Sequence, residues 1–176
     1  RSRARAASEA ARRQNGAVVL PNGDEYAGEH NGRRRNGFGV YRFGNGDRYE
    51  GEWRDDLMTG YGVMFFAAGQ RYEGSFTNQR RTGHGVIAFA NGDRYIGQIS
   101  NDHAQGLGEM RFATGNRYRG PFANGRPEGH GEYLYADGRR YLGMFQNGLP
   151  NGSGMLVHAG GRRSSGIWRN SDLVGD

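Results

Sequence analysis

A tyrosine recurs every 23 residues, at Tyr26, Tyr49, Tyr72, Tyr95, Tyr118 and Tyr141, and Ser164 takes the seventh place. Glycine follows two positions after each, from Gly28 to Gly166. A fixed period of this length means stacked copies of one supersecondary unit, each completing its apolar face against its neighbours. With the tyrosine as position 0, position 4 is aromatic at Trp53, Phe76, Phe122, Phe145 and Trp168, with His30 and Ile99 as exceptions. Positions 11 and 13 are glycine from Gly37 and Gly39 to Gly152 and Gly154, position 20 is glycine from Gly46 to Gly161, and position 22 is arginine from Arg48 to Arg163.

Each unit reads as two short strands, over positions 0–5 (Tyr49 to Arg54) and 12–17 (Tyr61 to Phe66). Turns such as Gly44-Asn45-Gly46-Asp47 separate successive units, and Asn-Gly and Asp-Gly pairs are strong hairpin signals. Strand side chains alternate faces with period two, so an odd repeat would flip every second unit unless one residue is absorbed per repeat. A three-residue loop at positions 18–20, ending in a left-handed glycine, absorbs it. Positions 0, 2, 4, 11, 13, 15 and 17 then share one face, where glycines leave flat backbone for aromatic rings. The other face takes positions 1, 3, 12, 14, 16 and 22. It is polar early in the chain (Arg48, Glu50, Glu52, Arg71, Glu73) and more apolar later (Ile96, Leu107, Leu134, Leu142, Met144, Met155), which hints at a partner site on the later half. The expected fold is all-β: an elongated, single-layer antiparallel β-meander of about fourteen strands, a twisted ribbon with an aromatic and glycine-lined face. Its expected organisation is a basic Arg/Ala-rich tail over 1–14, a half repeat over 15–25, six repeats over 26–163 and a partial repeat over 164–176.

Composition supports a repeat array. With 33 glycines and 35% hydrophobic residues in 176, a thick two-layer core is improbable, while 12% aromatic content argues against disorder. No apolar run reaches the ~20 residues of a membrane-spanning helix, and the absence of cysteine removes disulfides and thiolate chemistry. The net charge of +6 sits mainly in the tail, where five arginines oppose Glu9. That tail has helical propensity and is suited to an acidic surface, although a frayed terminus is the plainer expectation.

The segments YEGEWRDDLMTGYGV (49–63), YEGSFTNQRRTGHGV (72–86) and YLGMFQNGLPNGSGM (141–155) resemble MORN repeats, and the resemblance covers roughly residues 16–175. It implies a single-layered twisted sheet with a groove lined by the Tyr and Trp columns. It also implies a scaffold role of the kind MORN proteins play in radial spoke heads, in cytoskeletal structures and in junctophilins. Several members bind a partner helix or strand along the groove, and some have been proposed to bind phosphoinositides. His30, Ile99 and Ser164 depart from the pattern and are expected to weaken the groove at units one, four and seven.

No catalytic residues, cofactor or metal site are expected. His84 and His130 stand at the same position two units apart, about four strands or ~19 Å, and the GFG and GHG segments are repeat glycines, not phosphate loops. A one-layer sheet is expected to leave much of its aromatic face uncovered, and large exposed apolar area marks interaction sites. The function expected is a non-catalytic scaffold that binds a partner helix or strand along that groove. The expected contact residues are Tyr49, Trp53, Tyr72, Phe76, Tyr95, Tyr118, Phe122, Tyr141, Phe145 and Trp168. The alternative is a phosphoinositide or membrane-surface adaptor using Arg48, Arg71, Arg94, Arg117, Arg119 and Arg140 with the tail. Arg48 and Arg71 have Glu50 and Glu73 beside them, whereas Arg117 has Arg119 and is less compensated. Protein partners in a multi-subunit assembly, self-association through sheet edges and acidic phospholipid complete the expected partners; nucleic acid is disfavoured. The expected setting is intracellular and cytoskeletal, with the flagellar axoneme named by family analogy.

Overall fold

Every repeat becomes a hairpin, and what holds the hairpins in step is visible turn by turn. The structure is a computed structural model that describes residues 2–14 and 16–176. Arg1 of the tail and Asn15 of the half repeat lie outside the described residues. The chain divides into two compact units, one through Ala90 and one from Asn91 to Asp176.

The first unit holds α1 (Arg3–Gln14) and strands β1 (Val18–Val19), β2 (Glu25–Asn31), β3 (Arg34–Arg42), β4 (Arg48–Arg54), β5 (Leu57–Phe65), β6 (Arg71–Thr77) and β7 (Arg80–Ala88). The second holds β8 (Arg94–Ser100), β9 (His103–Arg111), β10 (Arg117–Ala123), β11 (Arg126–Pro127), β12 (Gly129–Leu134), β13 (Arg140–Gln146), β14 (Leu149–Val157), β15 (Arg163–Arg169) and β16 (Asp172–Gly175). Within each unit the strands are antiparallel, pair with their neighbours in chain order and do not close into a barrel. The expected single-layer antiparallel meander is therefore the fold. The strand number differs from the expected fourteen for two reasons. β16 gives the seventh repeat a second strand, and Pro127, which has no N–H to donate, splits the fifth repeat's second strand into β11 and β12, both paired to β10.

Between repeats the odd residue is absorbed as expected. Phe43 donates to the Asp47 carbonyl at 2.9 Å and accepts from the Gly46 amide at 3.0 Å, enclosing Gly44, Asn45 and Gly46. Gly46 has φ of 95°, a conformation that costs an L-residue but not glycine. The same loop recurs after Phe66, Phe112, Tyr135 and His158.

A second turn, inside each repeat, was not expected. The second strand starts at position 8, not 12, and a two-residue loop at positions 6 and 7 joins the strands. From the second repeat to the seventh both loop residues have positive φ, as at Asp55 (47°) and Asp56 (69°), the geometry of a type I′ turn, whereas in the first only Gly32 (64°) does. Position 6 is Gly32, Asp55, Asn78, Asn101, Asn124, Asn147 or Asn170, the residue types that best tolerate the left-handed region. In the first six repeats the outer part of the hairpin also slips by two residues: Gly51 opposes Gly62, but Glu52 opposes Thr59. A slip of two preserves which face each side chain points to, so the columns stay aligned.

The turn predicts a mutational signature. Asn147, with φ of 51°, should lose about 1–2 kcal/mol of stability when replaced by alanine, through left-handed strain, and little when replaced by glycine. Urea unfolding of the two variants checks this.

Candidate interaction surfaces

On the tyrosine face, each ring lies flat over a pair of glycines from adjacent strands. A Cβ on Gly62 would stand 2.5 Å from the Tyr49 ring, and one on Gly108 would stand 2.5 Å from that of Tyr95. Each hydroxyl donates to the backbone carbonyl three residues on, at Glu29, Glu52, Ser75, Gln98, Pro121 and Met144, over 2.6–3.0 Å. Position 4 then closes the ring edge. Tyr49 meets Trp53 of its own repeat at 5.2 Å and Phe76 of the next at 5.1 Å, both edge-on. Tyr118 likewise meets Phe122 and Phe145, and Tyr141 meets Phe145 and Trp168. Such pairs contribute about 0.5–1.5 kcal/mol each beyond area burial.

This packing corrects the expectation of an uncovered aromatic face. Tyr49, Trp53, Tyr72, Phe76, Tyr95, Tyr118, Phe122, Tyr141, Phe145 and Trp168 are all buried, none more than 7% exposed. The glycines let the rings lie down, and the next repeat's aromatic covers what one strand cannot. Ile99 does not weaken its unit by leaving a gap; it is 3% exposed in the same slot. Position 9, outside the expected strands, also reaches this face. Arg35 stacks over Trp53 at 4.7 Å and Tyr41 at 4.9 Å while its Nε donates to Asp56 at 3.1 Å. Its signal was the unrecognised turn, which sets position 9 opposite position 4.

The opposite face is occupied in the first unit. α1 packs on β2, β3 and β4, closing on them through the small buried side chains of Ala4 and Ser8, above Ala27 and Val40. Arg5 Nε donates to Glu50 at 2.7 Å, Arg48 Nε lies 3.0 Å from the same carboxylate, Arg12 pairs with Glu25, and Arg3 sits over the Phe38 ring at 5.7 Å. The frayed-terminus expectation is thus overturned for residues 3–14: the basic helix lies on an acidic part of the sheet. Tight closure by small side chains and a mostly buried, doubly paired carboxylate make this a fitted contact.

The arginine column is largely paired on this same face. Arg48 and Arg71 meet Glu50 (3.0 Å) and Glu73 (2.7 Å), and Arg140 meets Glu132 (3.6 Å). Arg117 and Arg119 do not lack a carboxylate: both turn to Glu109, at 3.6 and 3.2 Å, where Arg111 joins them at 2.7 Å. The Arg111 hydrogen bond above all, with the charges of Arg119 and Arg117, holds the Glu109 carboxyl below its usual range. Arg94 and Arg117 flank Arg111 on the neighbouring strands, so three guanidinium-bearing residues stand side by side. Among the described residues no three His, Asp or Glu side chains are placed to hold a metal, and no helix is long and apolar enough to cross a membrane.

The MORN repeat family profile matches residues 34–48, 49–71, 72–94, 95–117, 118–139 and 141–161. The chain belongs to the MORN repeat family. Five of those matched stretches open on a core tyrosine, Tyr49, Tyr72, Tyr95, Tyr118 or Tyr141, so these MORN repeats are counted from the ring that anchors each hairpin. No curated protein matches the chain. Among solved structures, it is similar to the TCP10 domain of Danio rerio CPAP, at 19% identity over 86% of this chain and 72% of that one, with a TM-score of 0.53. It is also similar to the TCP domain of Drosophila melanogaster SAS-4 (dCPAP), solved in complex with a proline-rich motif of Ana2 (dSTIL). That match has 14% identity over 86% and 88% of the two chains and a TM-score of 0.35. The first likeness is one of fold.

Proposed function

We propose that this MORN-repeat chain is a non-catalytic scaffold that binds helical or extended segments of partner proteins within a multi-subunit assembly. One observation carries the reading: the sheet already seats a helix, α1, through apolar closure and charge pairing at a register that recurs along the repeats. Family resemblance points to cytoskeletal settings, and a radial spoke or other axonemal component is the specific assignment we favour, by analogy. The aromatic columns Tyr49 to Trp168 serve this function first as the rigid spine; a partner on that side would meet the backbone and turn residues around them. Crosslinking mass spectrometry in native extract is the test, with crosslinks to a recurrent set of protein partners expected. A chain that stays monomeric and yields no specific crosslinks would sink the scaffold reading.

A second reading has its own support. Arg111, Arg117 and Arg119 all turn to one carboxylate, Glu109, and Arg94 stands opposite Arg111 on the next strand, a charge excess suited to acidic phospholipid or phosphoinositide headgroups. Flotation with phosphatidylserine vesicles decides this. Binding that disappears at about 0.1 M salt, where exposed charges are screened beyond ~10 Å, removes it.

A further inference from the structure

Positions 1, 12 and 14 form the seat of α1 in the first unit: Ala27 and Glu50, Phe38 and Tyr61, Val40 and Val63. The second unit repeats this seat and leaves it without a helix. There the same positions, Arg119, His130, Glu132, Leu142, Ser153 and Met155, line a shallow concavity of about 620 Å³ together with Gly131, Gly143, Gly154 and Ser165. Ile167, 47% exposed, opposes Ser153 on the next strand, and Leu107, 63% exposed, lies farther along the same face.

The two seats differ in size and in charge. In the first unit the sheet supplies the bulk (Phe38, Tyr61, Val63) and the helix supplies small residues. In the second, Leu142 and Met155 are set among Gly131, Gly143, Gly154, Ser153 and Ser165, with room for large side chains from above. The first seat presents Glu25 and Glu50 to a basic helix. Around the second, Arg111, Arg117 and Arg119 share Glu109 and Arg140 meets Glu132, while Arg94 stands opposite Arg111, so arginines outnumber these two carboxylates. A second copy of α1 would set arginines against arginines there, so the complementary ligand is acidic.

We propose that this face, centred on Leu142 and Met155 and bordered by Arg117, Arg119 and Arg140, docks an amphipathic α-helix of a partner protein, with large apolar residues on one side and carboxylates beside them. The inference rests on the scaffold reading and specifies its partner. The helix lies across the strands as α1 does, its apolar side chains filling the concavity and its carboxylates meeting the guanidiniums that Glu109 and Glu132 leave in excess.

The test is a titration of the isotope-labelled chain, followed by NMR. The probe is a lactam-stapled peptide of the α1 sequence carrying Arg3→Glu, Arg5→Glu, Arg12→Glu, Arg13→Glu, Ala4→Leu and Ser8→Leu. Saturable shifts at residues 129–133, 142–144 and 153–155 are expected, with affinity at least tenfold above that of the unmodified α1 peptide. Arg119→Glu, an exposed change that should leave folding intact, is expected to weaken binding at least tenfold, and Met155→Glu likewise. Shifts confined to other surfaces, affinity indifferent to both variants, or preference for the basic peptide would each overturn the proposal. So would displacement of the probe by phosphatidylserine vesicles at about 0.15 M salt, which would assign the face to a membrane. The parent reading fails separately. If extract crosslinks survive in Arg119→Glu, the scaffold stands and this face is wrong. If the peptide binds as expected while no partner is ever crosslinked, the face stands and the scaffold reading falls.

Discussion

Replacing Gly108 with alanine is expected to destabilise the second unit by about 2–3 kcal/mol, the upper part of the range for overpacking a filled core. The cause is space, since the new methyl group would lie 2.5 Å from both the ring edge and the hydroxyl of Tyr95. That ring has nowhere to retreat: its hydroxyl is bound to the Gln98 carbonyl at 2.6 Å, and Phe122 lies edge-on at 4.9 Å. Gly160, with nothing within 4 Å and no left-handed φ, should accept the same change almost neutrally. Guanidinium unfolding followed by the fluorescence of Trp168 reads both variants. In Gly108→Ala combined with Tyr95→Ala, the loss should be clearly less than the two single losses together, because the clash is gone. Strict additivity would mean that the glycine is required for some reason other than the ring.

How much of this was legible in the sequence depends on what periodicity can encode. Tyr49, Gly51 and Gly62 fall on one face in the structure as the odd period required, and Gly46 takes the left-handed loop position assigned to it. Repeating columns carry such information because each position meets the same neighbours in every copy. The type I′ turns were missed because Asp55-Asp56 and Asn78-Gln79 do not read as Asn-Gly, although Asn124-Gly125 and Asn147-Gly148 spell that turn outright. Contacts made once leave no periodic trace. Arg5 and Glu50 lie 45 residues apart, and no column marks them as partners. Burial of the ten aromatics was misjudged for a geometric reason: layer counting ignores that a ring lying flat on glycine needs only one further ring edge to be enclosed.

The last consequence concerns those rings. Tyr95→Ala should cost about 3–5 kcal/mol, the usual loss for removing a fully buried aromatic, enough to unfold a marginal unit. Tyr95→Phe isolates the hydroxyl and should cost about 1 kcal/mol for the bond to Gln98. The same burial makes the fold sensitive to alkali. Desolvation pushes the Tyr95 and Tyr118 phenols up to about 12 from their ordinary 10, so the folded state resists ionisation that the unfolded chain undergoes freely. Stability from these groups is complete below pH 10 and is lost as pH rises from 10 toward 12, since only the unfolded state releases the protons. Absorbance at about 295 nm, where tyrosinate absorbs, should therefore rise for the core tyrosines in the same step that abolishes near-ultraviolet circular dichroism. Tyr95→Phe should move that step upward in pH relative to its own neutral stability, having removed one of the groups that drives it. Core tyrosines that titrate smoothly near pH 10 while the dichroism persists would show that the rings are open to water and that the enclosed spine is wrong.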